Sequence, residues 1–386
     1  MSNRKLTILA VVAVLMVLWA TVQSRVSNRP KAAAEGPVYL IQGLDPAGIG
    51  SIVLGTGEET VTLKRQQGGF VVAGKDNYPA KTSEINSLIS KCVEIKTSAF
   101  ITDNPGNHED LEVTEEKARS VVKFMTPEPN STVLTGVVVG KTEELGQGTY
   151  VRLLSSDSSI SNRVHVASNV PWFSDGATNY LEQELISVTG DDILSATVSS
   201  PGGNYTLKKE GDGDDIVLKN TPAGKKLKSS DAGSVLTALT SLKFDDVKKT
   251  SSGLTFDREY ICRLKDSTVY TLKIARDEDK TYVTCAAEFM DTTPVRKGAD
   301  VETPEELKAK EAKLLARDGA QAFTAKHQKW VYEIPDWKAN NLTKELEDLL
   351  EDAEPEEESG AVDPNAVVPD LINAPLSVDP NAARTE

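Results

Sequence analysis

The stretch IGSIVLGTGEETVTLKR at residues 49–65 returns 144 residues later, without a gap, as ILSATVSSPGGNYTLKK at residues 193–209. Ile49, Ser51, Thr62, Leu63 and Lys64 meet Ile193, Ser195, Thr206, Leu207 and Lys208. A chain that carries one unit twice must bury the same pattern twice, and nothing else in it constrains the fold as strongly. Both stretches have the alternation of a strand, a turn and a second strand. A third strand follows each, GFVVAG from Gly69 and DIVLKN from Asp215, across turns containing Gly68-Gly69 and Gly211-Asp212-Gly213.

A helix comes next in both copies. Ile85, Leu88, Ile89 and Cys92 fall at the spacing of a helical core stripe, and Ala232, Val235, Leu236 and Leu239 repeat it. Ser83 and Ser230 are placed to cap these helices, with Glu84 and Asp231 near the positive end. Each copy then runs through a meander of strands. Both close on an expected helix sharing N-x-L-x-x-E-L: Asn179, Leu181, Glu184 and Leu185, then Asn340, Leu342, Glu345 and Leu346. An inserted helix at 304–325 interrupts the second copy, opened by Thr303-Pro304-Glu305-Glu306, a capping box with proline at the first helical position. The expected class is α+β: two tandem copies of an antiparallel strand–helix–strand unit, preceded by one N-terminal transmembrane helix. The corresponding division is a stub, anchor and linker over 1–37, a first repeat over 38–189, a second over 190–352 and a tail over 353–386.

Residues 6–22, LTILAVVAVLMVLWATV, form an uncharged apolar run behind Arg4 and Lys5. Seventeen residues is at the short end of the roughly 17–25 that span a bilayer, and longer than the about 7–15 of a signal-peptide core. The length favours an uncleaved anchor, with Trp19 near an interface; a cleaved signal peptide ending at Val22-Gln-Ser24 is the competing reading. Basic residues flank both ends (Arg25, Arg29 and Lys31 follow the run), so charge alone does not orient it. No second apolar run returns the chain, and everything after about Arg25 is expected on the extracytoplasmic side.

The net charge of −15 is concentrated at one end. Residues 345–386 hold 13 acids and one base, Arg384, whereas the rest holds 45 acids and 42 bases. The body is close to neutral, which excludes a basic nucleic-acid footprint. EDAEPEEES, with the Pro, Ala and Asn that follow, cannot bury enough apolar surface to offset its ordering entropy, so the tail is expected to be disordered.

Candidate chemistry is sparse. GVVVGKT at 136–142 lacks a phosphate loop's first glycine, because position 135 is Thr135, and reads as a β-branched strand reaching a turn. EGDGDD at 210–215 runs straight into Ile216, Val217 and Leu218, so a polar hairpin turn fits better than a calcium loop. Cys92 takes the position of Leu239 and reads as a small core hydrophobe. Cys262 and Cys285 flank TVYTLKIARD; a meander holds them one strand apart, and pairing needs their Cα atoms within about 7 Å. His108, His165 and His327 lie far apart, without zinc-site spacing. Neither a Ser-His-Asp grouping nor a G-x-S-x-G elbow is present. No catalytic, cofactor-binding or metal-ligating residue and no cofactor is assigned, and an enzyme is not expected.

Further motifs are LDPAGIGSIVL, the VTLKR…GGFVV hairpin, PAKTSEINSLISKCVEI, VVVGK…GTYVRL and the KWVYEIPDW…NLTKELEDLL ending. In these the chain resembles the bacterial envelope proteins grouped as domain of unknown function 4340, over roughly residues 39–350. The resemblance implies a non-enzymatic, membrane-anchored periplasmic accessory subunit of an ABC-transporter-like envelope complex, akin to gliding-motility transport components. An independent envelope module for cell-wall glycan or another envelope protein is the alternative. Implied partners are the bacterial inner membrane, through residues 6–22, and an envelope or transporter protein; nucleic acid is not among them. The inserted helix and the acidic tail depart from the family pattern.

Overall fold

Alternating residues at 51–66 pair as a hairpin in which Ser51 faces Lys64, Ile52 faces Leu63 and Val53 faces Thr62. The second copy keeps the register, with Ser195 facing Lys208, Ala196 facing Leu207 and Thr197 facing Thr206. A slip of one residue would turn Ile52, Leu54 and Leu63 from the core to solvent, and all three are buried. The computed structural model describes residues 38–353, apart from residue 58, residues 145 and 147, and the segments 211–214 and 297–301. The apolar run at 6–22 and the tail beyond Ala353 lie outside the described residues.

The first half contributes β1 (Val38–Tyr39), β2 (Ser51–Thr56), β3 (Glu59–Gln66), β4 (Gly69–Val72), β5 (Tyr78–Pro79) and β6 (Lys96–Thr102). It continues with β7 (Ser120–Met125), β8 (Val133–Thr142), β9 (Thr149–Leu154), β10 (Val164–Ala167) and β11 (Glu184–Ile186). The second half contributes β12 (Ile193–Ser200), β13 (Gly203–Lys209), β14 (Ile216–Leu218), β15 (Lys225–Leu227), β16 (Leu242–Lys243) and β17 (Asp246–Lys248). It ends with β18 (Arg258–Leu264), β19 (Thr268–Asp277), β20 (Lys280–Phe289), β21 (Val331–Ile334) and β22 (Leu350–Asp352).

The expected α+β class is overturned. Among the described residues, 22 strands form four sheets of antiparallel pairs, against five α-helices. The ten-stranded sheet runs β5-β4-β3-β2-β7-β8-β9-β10-β6-β1, and the eight-stranded sheet runs β14-β13-β12-β18-β19-β20-β21-β17. What recurs is therefore a sheet order and not a strand–helix–strand unit. In each half the helix (Thr82–Val93, then Ser229–Leu236) carries the chain from one edge of a sheet towards the other, and most consecutive strands are meander neighbours. Periodicity had located the helices but not where their connections lead. The expected transmembrane helix falls on undescribed residues; among the described ones, no helix is long and apolar enough to cross a membrane.

Three smaller expectations change. The two helices begin before Ser83 and Ser230, with Lys81 and Lys228 at the N-cap and no side-chain cap bond. The second ends at Leu236, and Leu239 is buried from the turn beyond it. The shared N-x-L-x-x-E-L starts in a 3-10 turn, Ala177–Tyr180, in the first half and in a short α-helix, Asp336–Thr343, in the second. Leu185 then lies in β11, where it is buried by pairing with β16 instead of by helical packing.

The two sheets share one apolar core. A single buried cluster includes Ile52, Leu63, Leu88 and Cys92 from the first half and Ala196, Leu207, Leu236 and Leu239 from the second. Ile89 packs on its margin, partly exposed. A smaller cluster of Val113, Val121, Val138 and Val164 closes the other face of the first sheet. This explains β8, which is buried on both faces from Gly136 to Gly140.

Candidate functional site

The inserted helix spans Pro304–His327, two residues past its expected end, and its capping box is formed: the Thr303 hydroxyl accepts from the Glu306 amide, and the Glu306 carboxylate accepts from the Thr303 amide. Its C-terminal half is embedded. Ala320 and His327 are buried, and the Phe323 ring meets Tyr270 edge-on at 5.1 Å. Strand β21 pairs with β20 only at residues 281–283, so the helix covers the remaining edge of β20. There the Thr324 hydroxyl donates to the Ala287 carbonyl at 2.8 Å and accepts from the Ala287 amide at 2.7 Å. One side chain thus does the work of a missing strand at an edge that otherwise invites pairing.

The N-terminal half of the helix is mostly exposed. A groove of about 690 Å³ opens between residues 313–328 and residues 287–295, lined by Phe289, Asp291, Val295, Lys313, Leu314 and Arg317 among others. The Lys313 ammonium bridges it, 2.5 Å from the Asp291 carboxylate and 2.6 Å from the Thr293 carbonyl. Hydrogen bonds from Lys313, then from Thr293, hold the Asp291 carboxyl down to about 2. Lys310 makes a second strut to the Arg296 carbonyl and to Glu302. Leu307 and Leu315 are exposed on this half, as are Met290 and Val295 across the groove. The groove thus sets apolar side chains such as Phe289, Val295 and Leu314 beside the Lys313–Asp291 pair.

The residues singled out in the sequence fall elsewhere. Gly136 and Gly140 lie inside β8, where an added Cβ would fall 2.4 Å from the carbonyl oxygens of Val122 and Leu111 respectively. They serve a close backbone approach, and phosphate binding has no part in it. Glu210 and Asp215 close the hairpin ahead of β14 through an amide–carbonyl bond of 3.0 Å, and the 211–214 part of the calcium candidate lies outside the described residues. Cys262 and Cys285 pair with Tyr270 and Leu272 of the intervening β19, so a whole strand separates the two thiols. That places them about 10 Å apart at the strand spacing, beyond bridging distance. All three thiols are buried, and burial pushes Cys262 up to about 12 and Cys92 and Cys285 higher.

The histidines stay separate. His108 Nε2 lies 2.9 Å from the Asn162 carbonyl. His165 packs on Phe100. His327 Nδ1 lies 2.6 Å from the Tyr332 hydroxyl, and burial, followed by the nearby Lys326 charge, holds its imidazole down to about 4. Among the described residues, no three His, Cys, Asp or Glu side chains gather where they could hold a metal ion. Sequence reasoning found the inserted helix by its cap but missed the groove, whose other wall is the irregular stretch after β20.

The family whose model matches residues 71–258 is described as Domain of unknown function (DUF4340). The match runs from β4 to the start of β18 and so takes in parts of both large sheets. No curated protein and no solved structure matches the chain.

Proposed function

For a chain whose residues 71–258 belong to the family of domain of unknown function 4340, we propose the role of a non-enzymatic periplasmic accessory subunit. In this role it is held to the inner membrane by residues 6–22 and docks on an ABC-transporter-like envelope complex. One observation carries the docking: the Pro304–His327 helix projects a half that exposes Leu307 and Leu315 and is braced by lysine struts. Isolated exposed leucines need no explanation, but two on one braced helix have the form of a helical anchor for a partner. The apolar run 6–22 supplies the membrane element.

Affinity purification from detergent-solubilised membranes tests this. The wild-type chain is expected to bring down transporter-type ATPase and permease subunits, and a Leu307→Ser, Leu315→Ser double variant is expected to lose them while folding normally. Recovery of cell-wall glycan or an unrelated envelope protein instead would favour an independent binding module. Equal recovery of transporter subunits by the double variant would remove the helix from the contact.

A further inference from the structure

At the opposite end of the first sheet, β6 is an edge strand of unusual character. β1 pairs with it only at Lys96 and Thr97, and among the described residues no strand pairs with its outer edge from Ser98 onward. Phe100 and Ile101 sit at an irregularity in the pairing, where Phe100 and Thr102 face His165 and Val164, and they are 55% and 39% exposed. Val38 and Tyr39 of β1 are exposed beside them. Trp172, 68% exposed, follows Pro171, which lines a groove with Tyr39. Four of the thirteen exposed large apolar side chains among the described residues thus belong to this edge, and Trp172 adjoins the groove beside it.

That groove has a volume of about 380 Å³ and brings together Lys91, Lys96, Ser168 and Asn169, with Glu94 as the one opposing charge. The Lys96 ammonium sits 5.0 Å over the Tyr39 ring. Two ammonium groups with a hydroxyl and an amide can donate to phosphate oxygens, and the ring lies where donors and apolar surface meet. Tyrosine and tryptophan favour the headgroup level of a bilayer for the same mixed character.

We propose that the β1–β6 edge rests on an anionic lipid surface, with headgroup phosphate in the Lys91–Lys96 groove and Phe100, Ile101 and Trp172 at the acyl boundary. The inference rests on the membrane reading of residues 6–22 and extends it to a second contact. The course of the chain identifies the occupant. Val38 begins β1 within the patch, and only residues 23–37, which include Arg25, Arg29 and Lys31, separate it from the apolar run. At about 3.3–3.6 Å per extended residue, this tether keeps the edge within roughly 50 Å of the run. A partner strand adding to β6 would use its backbone; it would not account for Trp172 or for the lysine groove beyond the strand.

The test uses the full chain in phosphatidylcholine vesicles with and without phosphatidylglycerol. Phe100→Cys, Trp172→Cys and, as a distant control, Leu315→Cys are each labelled with a polarity-sensitive thiol dye, and the unsubstituted chain serves as a blank for its buried thiols. Emission from positions 100 and 172 is expected to shift to the blue and to be quenched by brominated lipid in phosphatidylglycerol vesicles. Position 315 should not respond, and Lys91→Glu with Lys96→Glu should abolish the shift. Water-like emission at 100 and 172 from chain that floats with the vesicles would overturn the proposal while leaving the anchor intact. Chain that does not float would overturn the anchor and the proposal together. A blue shift in lipid-free detergent that grows with protein concentration would assign the edge to a second copy and overturn the lipid assignment.

Discussion

Gly140 illustrates how a motif-like residue can be structural. The Leu111 carbonyl accepts from the Lys141 amide at 3.2 Å, and a Cβ on Gly140 would intrude on that oxygen. Gly140→Ala is expected to destabilise the protein by about 1–3 kcal/mol as overpacking, measured by urea unfolding. An unchanged midpoint would mean that the 109–113 segment yields freely. His327 gives a pH-dependent counterpart. Its folded-state value of about 4 lies below the ordinary 6.5, so the unfolded chain takes up the proton first as pH falls. The associated stability is complete above about pH 6.5 and is lost between there and pH 4, amounting to about 3 kcal/mol at about 1.4 kcal/mol per pKa unit. His327→Gln should flatten that part of the stability–pH profile; a profile as steep as wild type would place the proton uptake elsewhere.

Among the elements, β22 is the last that the described residues contain. Its residues Leu350, Glu351 and Asp352 pair with Leu227, Lys226 and Lys225 of β15, and the preceding Leu349 is fully buried. Salt bridges Lys225–Asp352 and Lys226–Glu351 decorate this pair but are exposed, and exposed pairs contribute little. A chain ending after Ala353 is therefore expected to melt within about a degree of the full protein, because a charged, aperiodic segment has little apolar surface to bury. One ending after Asp348 should melt several degrees lower, through loss of Leu349 and the β15 partner. A large drop on the first truncation would show that the tail packs on the body.

At the scale of the whole molecule, Tyr78 joins the halves. Left-handed Asp76 and Asn77 turn the chain so that the Tyr78 ring enters the second half, 4.9 Å from Trp330 and 5.6 Å from Phe244. Lys75–Asp246 and the bond from the Lys249 amide to Asp76 frame it. Tyr78→Ala should cost about 3–5 kcal/mol and split one calorimetric transition into two, since each sheet would keep its own ladder. A single, merely lowered transition would mean that the rest of the shared core suffices to couple them. Much of this fold was legible in local chemistry: the hairpin register, the apolar stripe of the first helix and the Thr303 cap each depend on residues a few positions apart. The docking was not. At the shift of 147 that matches the two helices, Tyr78 corresponds to Lys225, so the repeat itself breaks where the halves meet. The groove beside the inserted helix was equally hidden, because its walls come from an irregular stretch and from a helix whose leucines look like core residues in sequence. Periodicity dictated which side chains leave water, since that depends on backbone geometry alone. Which surface receives them was decided by tertiary structure, because the helices' long connections and the single core bring together residues that no local pattern relates.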